Sequence, residues 1–476
     1  MKFRHALVIP VTAALIGASA LAASAGVAVP APPFATLPHG SQPLDVVTDS
    51  AHNVYVLSQN VPSSVTEYTS TGTLVHTFTL PASSGAVLDM TIDPSGMIYT
   101  ANSDHTIGRI NPTAVTLDAA WANVGVGHDP SVVHYDDASG MLYVADSNDA
   151  AFFRIDNEGG TILAPYAIGL GVTHVTDMTI TPSGRIFATW IDTASIGHIA
   201  MIEPQAYPHA PIVESTYKLI GGGSFPTGIV SDSAGDIYIA NHGSNNILEY
   251  DADGGGALVN TFALAAGTDP FRVAVDSSDN VYYSGSNTGT NESSIGFISA
   301  AGQLNLTPIA VLPLTTDPVG LTVESDSATL YAAGFGNSTL VQLALGATIT
   351  SADPSATLQA GSTFSYTPTT SGLDPISFSS PNLPAGYTLN ATTGAVTGTV
   401  GAAGTSVAFD LVPSNTFGAG TAQHIVIAAA AVTPTSPPPT QTPGGGGGSG
   451  TGGTGTGTGN GTSTVPPGSH LPKVSG

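Results

Sequence analysis

The stretch GIVSDSAGDIYIANHGSNNILEYD, residues 228 to 251, holds a short apolar strand, an acidic turn at Asp232 and a second strand carrying Tyr238. Six other stretches repeat its first half: VVTDSAHNVYV, MTIDPSGMIYT, VVHYDDASGMLYV, MTITPSGRIFA, VAVDSSDNVYYS and LTVESDSATLYAA. Their turns open at Asp49, Asp93, Asp136, Thr181, Asp276 and Glu324, so successive turns, with Asp232 among them, lie 43 to 51 residues apart. One four-stranded propeller blade occupies about that length. An aromatic follows each turn opener: Tyr55, Tyr99, Tyr143, Phe187, Tyr238, Tyr282 and Tyr331. Seven occurrences at one register imply one structural job, packing between blades, with sugar stacking as the rival role. The fold class expected is all-β: a seven-bladed β-propeller over residues 30–346, followed by a small Ig-like β-sandwich.

Ring closure can also be read. The seventh repeat has a third strand, TLVQLAL, but no fourth before the texture changes. Residues Pro33 to Pro38 (PFATLP) echo Thr77 to Pro81 (TFTLP) and are expected to supply that outer strand, leaving only short blade edges exposed.

Two resemblances follow from these residues. Asp232 to Asp251, and the YVADSND and FRID segments between Asp136 and Asp156, resemble NHL repeats, although NHL propellers often have six blades. Residues 347–431 resemble the Ig-like, cadherin-related domains of bacterial surface proteins through Leu383-Pro384-Ala385-Gly386 and Thr393-Gly394-Ala395-Val396-Thr397-Gly398-Thr399. The alternation in Val407 to Val412 suits a sandwich strand.

Composition narrows the partners. Of 476 residues, 33 are acidic and 8 basic, for a formal net charge of −25. Nucleic acid is disfavoured, because its recognition needs Lys and Arg against phosphates. Cations, glycans, peptides and proteins remain. There is no cysteine, which excludes thiolate catalysis and Cys-ligated zinc. Lys2, Arg4 and His5, the apolar run Ala6 to Ala23 and the ending Ala23-Ser24-Ala25 read as a signal peptide over residues 1–25, against an uncleaved anchor as alternative. The protein is therefore expected to be secreted or cell-wall associated, without an integral membrane segment after cleavage, and monomeric. Residues 432–476 are Pro-rich, then Gly/Thr-rich, and read as a disordered spacer.

Candidate site residues come from the repeat alignment. Proline stands six positions before five of the turn openers, at Pro43, Pro130, Pro226, Pro270 and Pro318. The residue before that position should ring the channel mouth: Gln42, Ala86, Asp129, His174, Phe225, Asp269 and Asp317. Carboxylates with an imidazole suit a divalent cation such as Ca²⁺, Mg²⁺ or Mn²⁺, so Asp129, His174, Asp269 and Asp317 form the candidate metal set. The bland alternative is that Asp before Pro simply starts a turn. On the same face, after the second strands, Trp190, Asn241 and His242 are candidates for contacting a ligand, with Gln42 and the metal set beside them. Trp190 is placed either there or between blades. Asp251-Ala252-Asp253-Gly254 opens like an EF-hand loop but lacks the remaining ligands. No G-x-S-x-G or H-E-x-x-H pattern occurs.

Three functions fit. The first is a non-catalytic module presenting a propeller face to a glycan, peptide or protein. The second is a metal-dependent propeller enzyme of lyase or lactonase type. The lactonase pattern would place a glutamate among the metal ligands, and none of the seven mouth positions is Glu. The third is a structural element of the cell envelope.

Overall fold

A computed structural model describes residues 34–431, apart from 39, 61, 148–150, 168–171, 206–211, 223, 288, 325–328, 374–375 and 416–417. The segments expected to be a signal peptide, 1–25, and a spacer, 432–476, lie outside the described residues. Seven four-stranded antiparallel sheets follow one another as the blades of a propeller. The innermost strands of blades 1 to 7 are Pro43–Thr48, Val87–Ile92, Pro130–Asp136, Val172–Ile180, Pro226–Ser231, Pro270–Val275 and Pro318–Glu324. Each pairs with the next strand across a bulge near its start, as at Pro43/Asp45, Val87/Asp89 and Pro226/Gly228.

The repeated turn has a defined chemistry. Asp49 Oδ1 accepts from the Ala51 and Asn53 backbone N–H groups, and its Oδ2 accepts from the Tyr55 hydroxyl at 2.9 Å. Asp276 does the same for Ser278, Asn280 and the Tyr282 hydroxyl, and Asp93 for Ser95, Met97 and Tyr99. The carboxylate thus closes the turn and fixes the ring six residues later. Burial, then the adjacent carboxylate, holds these three phenols well above the ordinary tyrosine range.

Those rings are the mortar between blades. Tyr55 packs with Leu57 and Phe78 of its own blade and with Met90 and Ile98 of the next. Each of the other six aromatics sits likewise in a cluster drawn from two successive blades. All seven are at most 6% exposed, which leaves no face for a sugar. Blade 4 departs informatively. Its aromatic is Phe187, which has no hydroxyl to hold, and its turn opener is Thr181. Asp253, from the turn between the third and fourth strands of blade 5, supplies the missing carboxylate, accepting from Thr181 Oγ1 at 3.1 Å and Ser183 Oγ at 2.7 Å. The EF-like segment is thereby spent on a turn and a blade junction, with Asp251 Oδ1 accepting from Gly254 N–H at 2.7 Å.

The ring closes as expected. Ala35–Thr36 is the fourth strand of blade 7, with Ala35 opposite Leu340 and Thr36 opposite Thr339. Phe34 meets Tyr331 edge-on at 5.4 Å, and Leu37 is buried between blades 7 and 1. Beyond the propeller, a five-stranded and a three-stranded sheet share a core of Phe364, Tyr387, Val396, Phe409, Leu411 and Ile425. The expected strand at Val407 to Val412 lies within Ser406–Asn415. Asn415 Nδ2 donates to Leu345 O at 2.7 Å and Leu373 O at 2.9 Å, tying this sandwich to the end of blade 7.

Because the closing strand has only two paired residues, its side-chain burial must carry the closure. Leu37→Ala should lower stability by about 2–4 kcal/mol, typical of leucine truncation in a packed core. The exposed Ile212→Ala serves as the near-neutral comparison in thermal and denaturant unfolding.

Candidate functional site

Five of the seven mouth positions share a register. The N–H after the second strand donates to the carbonyl of the mouth residue in blade after blade: Gln59 to Gln42, Ser103 to Ala86, Ser147 to Asp129, His242 to Phe225 and Phe335 to Asp317, at 2.9 to 3.1 Å. Gln42, Asp269 and Asp317 adopt left-handed backbone conformations there, with φ of 47°, 46° and 45°.

The cation site expected from Asp129, His174, Asp269 and Asp317 includes one side chain, that of His174, outside the described residues. Among the described residues, no group of three or more His, Cys, Asp or Glu side chains is placed to hold a metal ion. His174 lies opposite Ile191 in blade 4. Of the three aspartates, Asp129 and Asp269 are tied into their loops through the backbone, and Asp317 through its carboxylate. Asp129 N–H donates to Asp146 Oδ2 at 2.5 Å, and Asp269 N–H to Asn245 Oδ1 at 3.0 Å. Asp317 Oδ1 accepts from Ser286 Oγ at 3.0 Å. Burial, and then repulsion from Asp146, raises the Asp129 carboxyl above the usual range. Trp190 is also spent on packing: it is 2% exposed and stacks on His198 at 4.2 Å. His198 Nε2 in turn pairs with Asp192 Oδ2 at 3.0 Å.

What the loop face does present is a cleft of about 390 Å³ between blades 4 and 5, lined by Ser195, Ser224, Phe225, His242 and Gly243. Phe225 is 41% exposed, unusual for a large aromatic in this chain. Asn241 holds it in place. Its Oδ1 accepts from Phe225 N–H at 3.0 Å while its Nδ2 donates to Asn246 Oδ1 at 3.1 Å. His242 stands 6.3 Å from Phe225, near-perpendicular, and stacks on Phe271 at 5.0 Å. Of the sequence candidates, then, His242 lines the cleft and Asn241 positions its aromatic wall. Phe225, read only as a ring position, is the exposed surface. An apolar ring beside hydroxyls and an imidazole suits the face of a sugar or of an aromatic or aliphatic side chain.

A second constellation was missed from sequence. Four residues before each turn opener stand Asp45, Asp89, Val132, Asp177, Gly228, Arg272 and Gly320, on the channel-lining strands. Arg272 reaches past blade 5 to Asp177 Oδ2, 2.8 Å from Nη1, and touches Thr227 O at 3.4 Å and Val319 O at 3.2 Å. Gly228 and Gly320 flank it in the register. A Cβ on Gly228 would stand 2.9 Å from Phe271 O and 3.1 Å from Arg272 Cα, so only glycine lets the strand come this close. The aspartates bridge blades as well: Asp89 Oδ2 accepts from Val133 N–H at 2.8 Å, and Asp177 Oδ2 from Ile229 N–H at 3.0 Å. Burial, opposed by Arg272, pushes the Asp45 carboxyl up to about 6. Burial and then Asp45 push Asp89 well above the usual range. The signal lay three residues beyond the mouth positions: three aspartates and an arginine at one offset in a chain with few basic residues.

No family model matches the chain, and no curated protein matches it. Solved structures share its fold at low identity. Virginiamycin B lyase from Staphylococcus aureus is 13% identical, with 63% of this chain and 94% of that chain covered and a TM-score of 0.48. Its catalytically inactive variant with quinupristin gives 14%, 64%, 96% and 0.49. Kuenenia stuttgartiensis hydrazine synthase gives 14%, 67%, 98% and 0.51. Likeness at this level concerns the fold alone.

Arg272 offsets three neighbouring carboxylates. Arg272→Met should therefore cost about 3 kcal/mol at pH 7, as breaking a buried charge network does. The loss should shrink at pH 5, where the orphaned carboxyls take up protons. Unfolding midpoints at the two pH values check both statements.

Proposed function

We propose that the protein is a secreted or cell-surface binding module that offers the loop face of its propeller to a neutral glycan or to a peptide or protein side chain. The cleft at Phe225 carries this reading. A ring left 41% exposed beside the channel mouth, in a chain that buries its seven repeated aromatics almost completely, is held out by a dedicated amide on Asn241. Exposed aromatics fixed by buried polar groups are the usual anchors of recognition surfaces. The NHL-like repeats and the Ig-like texture of residues 347–431 agree with such a role, and the Gly/Thr-rich tail would act as a spacer from the envelope.

The reading is tested on glycan and peptide arrays probed with the full chain and with Phe225→Ala. Ligands retained by the wild type should lose about tenfold or more in affinity with the variant, the scale of losing an aromatic anchor. Asn241→Ala should weaken the same ligands less, through a loosened loop. Array hits indifferent to Phe225 would move the site elsewhere on the propeller, and an absence of hits would count against a binding module.

A further inference from the structure

The seventh blade is closed over only part of its length. We propose that the sandwich behind the propeller is the second half of that closure: it clasps blade 7 at the end the closing strand does not reach, so that this blade and the sandwich open together.

In a complete blade the fourth strand pairs with the third from end to end. In blade 5 each residue from Asn246 to Asp251 faces one on Ala257–Ala263. In blade 7 the third strand is Thr339–Ala344, and on its outer side Thr339 pairs with Thr36 and Leu340 with Ala35. From Val341 to Ala344 that side has no fourth strand among the described residues. Such an edge frays readily, because its outward backbone groups are unpaired and little is packed over it. Fourth strands elsewhere also fill the seam to the next blade, as Phe78 and Leu80 do in blade 1 and Phe262 and Leu264 in blade 5. The short closing segment gives Leu37 to the seam with blade 1 and ends there.

The sandwich takes hold of the chain immediately past the unpaired stretch. Leu345 O accepts from Leu373 N–H at 2.8 Å and from Asn415 Nδ2 at 2.7 Å, and the same amide reaches Leu373 O at 2.9 Å. One side chain thus joins the chain leaving blade 7 to two segments of the sandwich. The Leu373 side chain, 7% exposed, enters the apolar cluster between blades 6 and 7, with Phe297, Leu312, Val341 and Leu345. It belongs to the sandwich by sequence and to the propeller by packing. The backbones also approach closely. A Cβ on Gly372 would collide with Gly346 O, and one on Gly420 with Ala347 O. Gly372 has a φ of 118° as well, which a side chain would strain. Linkers between independent domains are exposed and crossed by few contacts. Here Leu345 and Ala347 are each 2% exposed, so the junction is a packed joint.

Closure therefore has two grips on one strand. Leu37 and the segment Ala35–Thr36 hold the start of Thr339–Ala344, while Leu373 and Asn415 hold its exit. Residues 347–431 thereby gain a task inside the molecule, independent of any ligand at the loop face.

Hydrogen exchange read by mass spectrometry tests this on the full chain. Wild type is compared with Leu373→Ala and Asn415→Ala, and Leu306→Ala, exposed on blade 6, is the control. Amides of Thr339–Ala344 and of Ala35–Thr36 should exchange about tenfold or more faster in Leu373→Ala, the scale of truncating a packed leucine. They should exchange severalfold faster in Asn415→Ala and be unchanged in Leu306→Ala. Acceleration confined to residues 347–431, or no greater in blade 7 than in blade 3 across the ring, would overturn the clasp. Should Leu373→Ala fail to fold, Asn415→Ala, which opens no cavity in either core, carries the comparison. The wild type gives a check that needs no variant. As denaturant rises, Thr339–Ala344 and Ser406–Asn415 should lose protection together, and loss from the sandwich while blade 7 stays protected sinks the proposal.

Discussion

One tether recurs in blades 1, 2 and 6: an aspartate that closes a tight turn and, with its other oxygen, holds the hydroxyl of a buried tyrosine. The turn sets the hairpin between the first two strands of a blade. The ring, pinned at a fixed offset, then reaches into the next blade. Local and tertiary structure are thereby specified by the same few residues, which is the consistency that lets a divergent repeat still fold one way. Elsewhere the partner changes: Tyr238 donates to Glu249 Oε1 and the Tyr331 hydroxyl accepts from Gln342 Nε2, and blade 4 departs further. With no hydroxyl on Phe187, the carboxylate is dispensable in its own turn, and Asp253 arrives from blade 5 to bind Thr181 and Ser183 instead.

Because the blade interfaces are apolar and continuous, polar chemistry is pushed to two places, the loop face and the axis. On the loop face most polar side chains are consumed in holding loops, as Asp146, Asn241 and Asn245 each take a backbone N–H from the neighbouring connection. Among the described residues, the large aromatic left exposed is Phe225, at the blade 4 and 5 junction. On the axis, aspartates bridge from strand to strand, and a single arginine is asked to balance three of them.

The architecture was legible in the sequence because it rests on spacing. Turn openers, aromatics and the PFATLP echo are all local patterns repeated at one period, and the strand at Ala35–Thr36 falls inside that echo. The site was less legible. Alignment placed Gln42, Asp129, Phe225 and Asp317 at one register correctly, but register does not say where a side chain spends its hydrogen bonds. The Asp317 carboxylate turns out to serve its loop, and Trp190 serves the core. Arg272, Gly228 and Gly320 escaped notice because their meaning is joint: the glycines matter only once the arginine lies between them.

The short closing strand also bears on how the molecule is made. Gly40 donates to Ser338 Oγ across a sequence separation of 298 residues, and no contact of blade 7 with the first strand can form until almost the whole propeller exists. Each blade, by contrast, is built from hairpins that can pair as they emerge. Assembly should therefore run from local to remote, with an open, edge-bearing arc as the last species before the circle shuts. A two-residue strand suits such a late event. It asks little of the waiting chain, exposes little edge while it waits, and commits the fold only when the seventh blade is there to receive it.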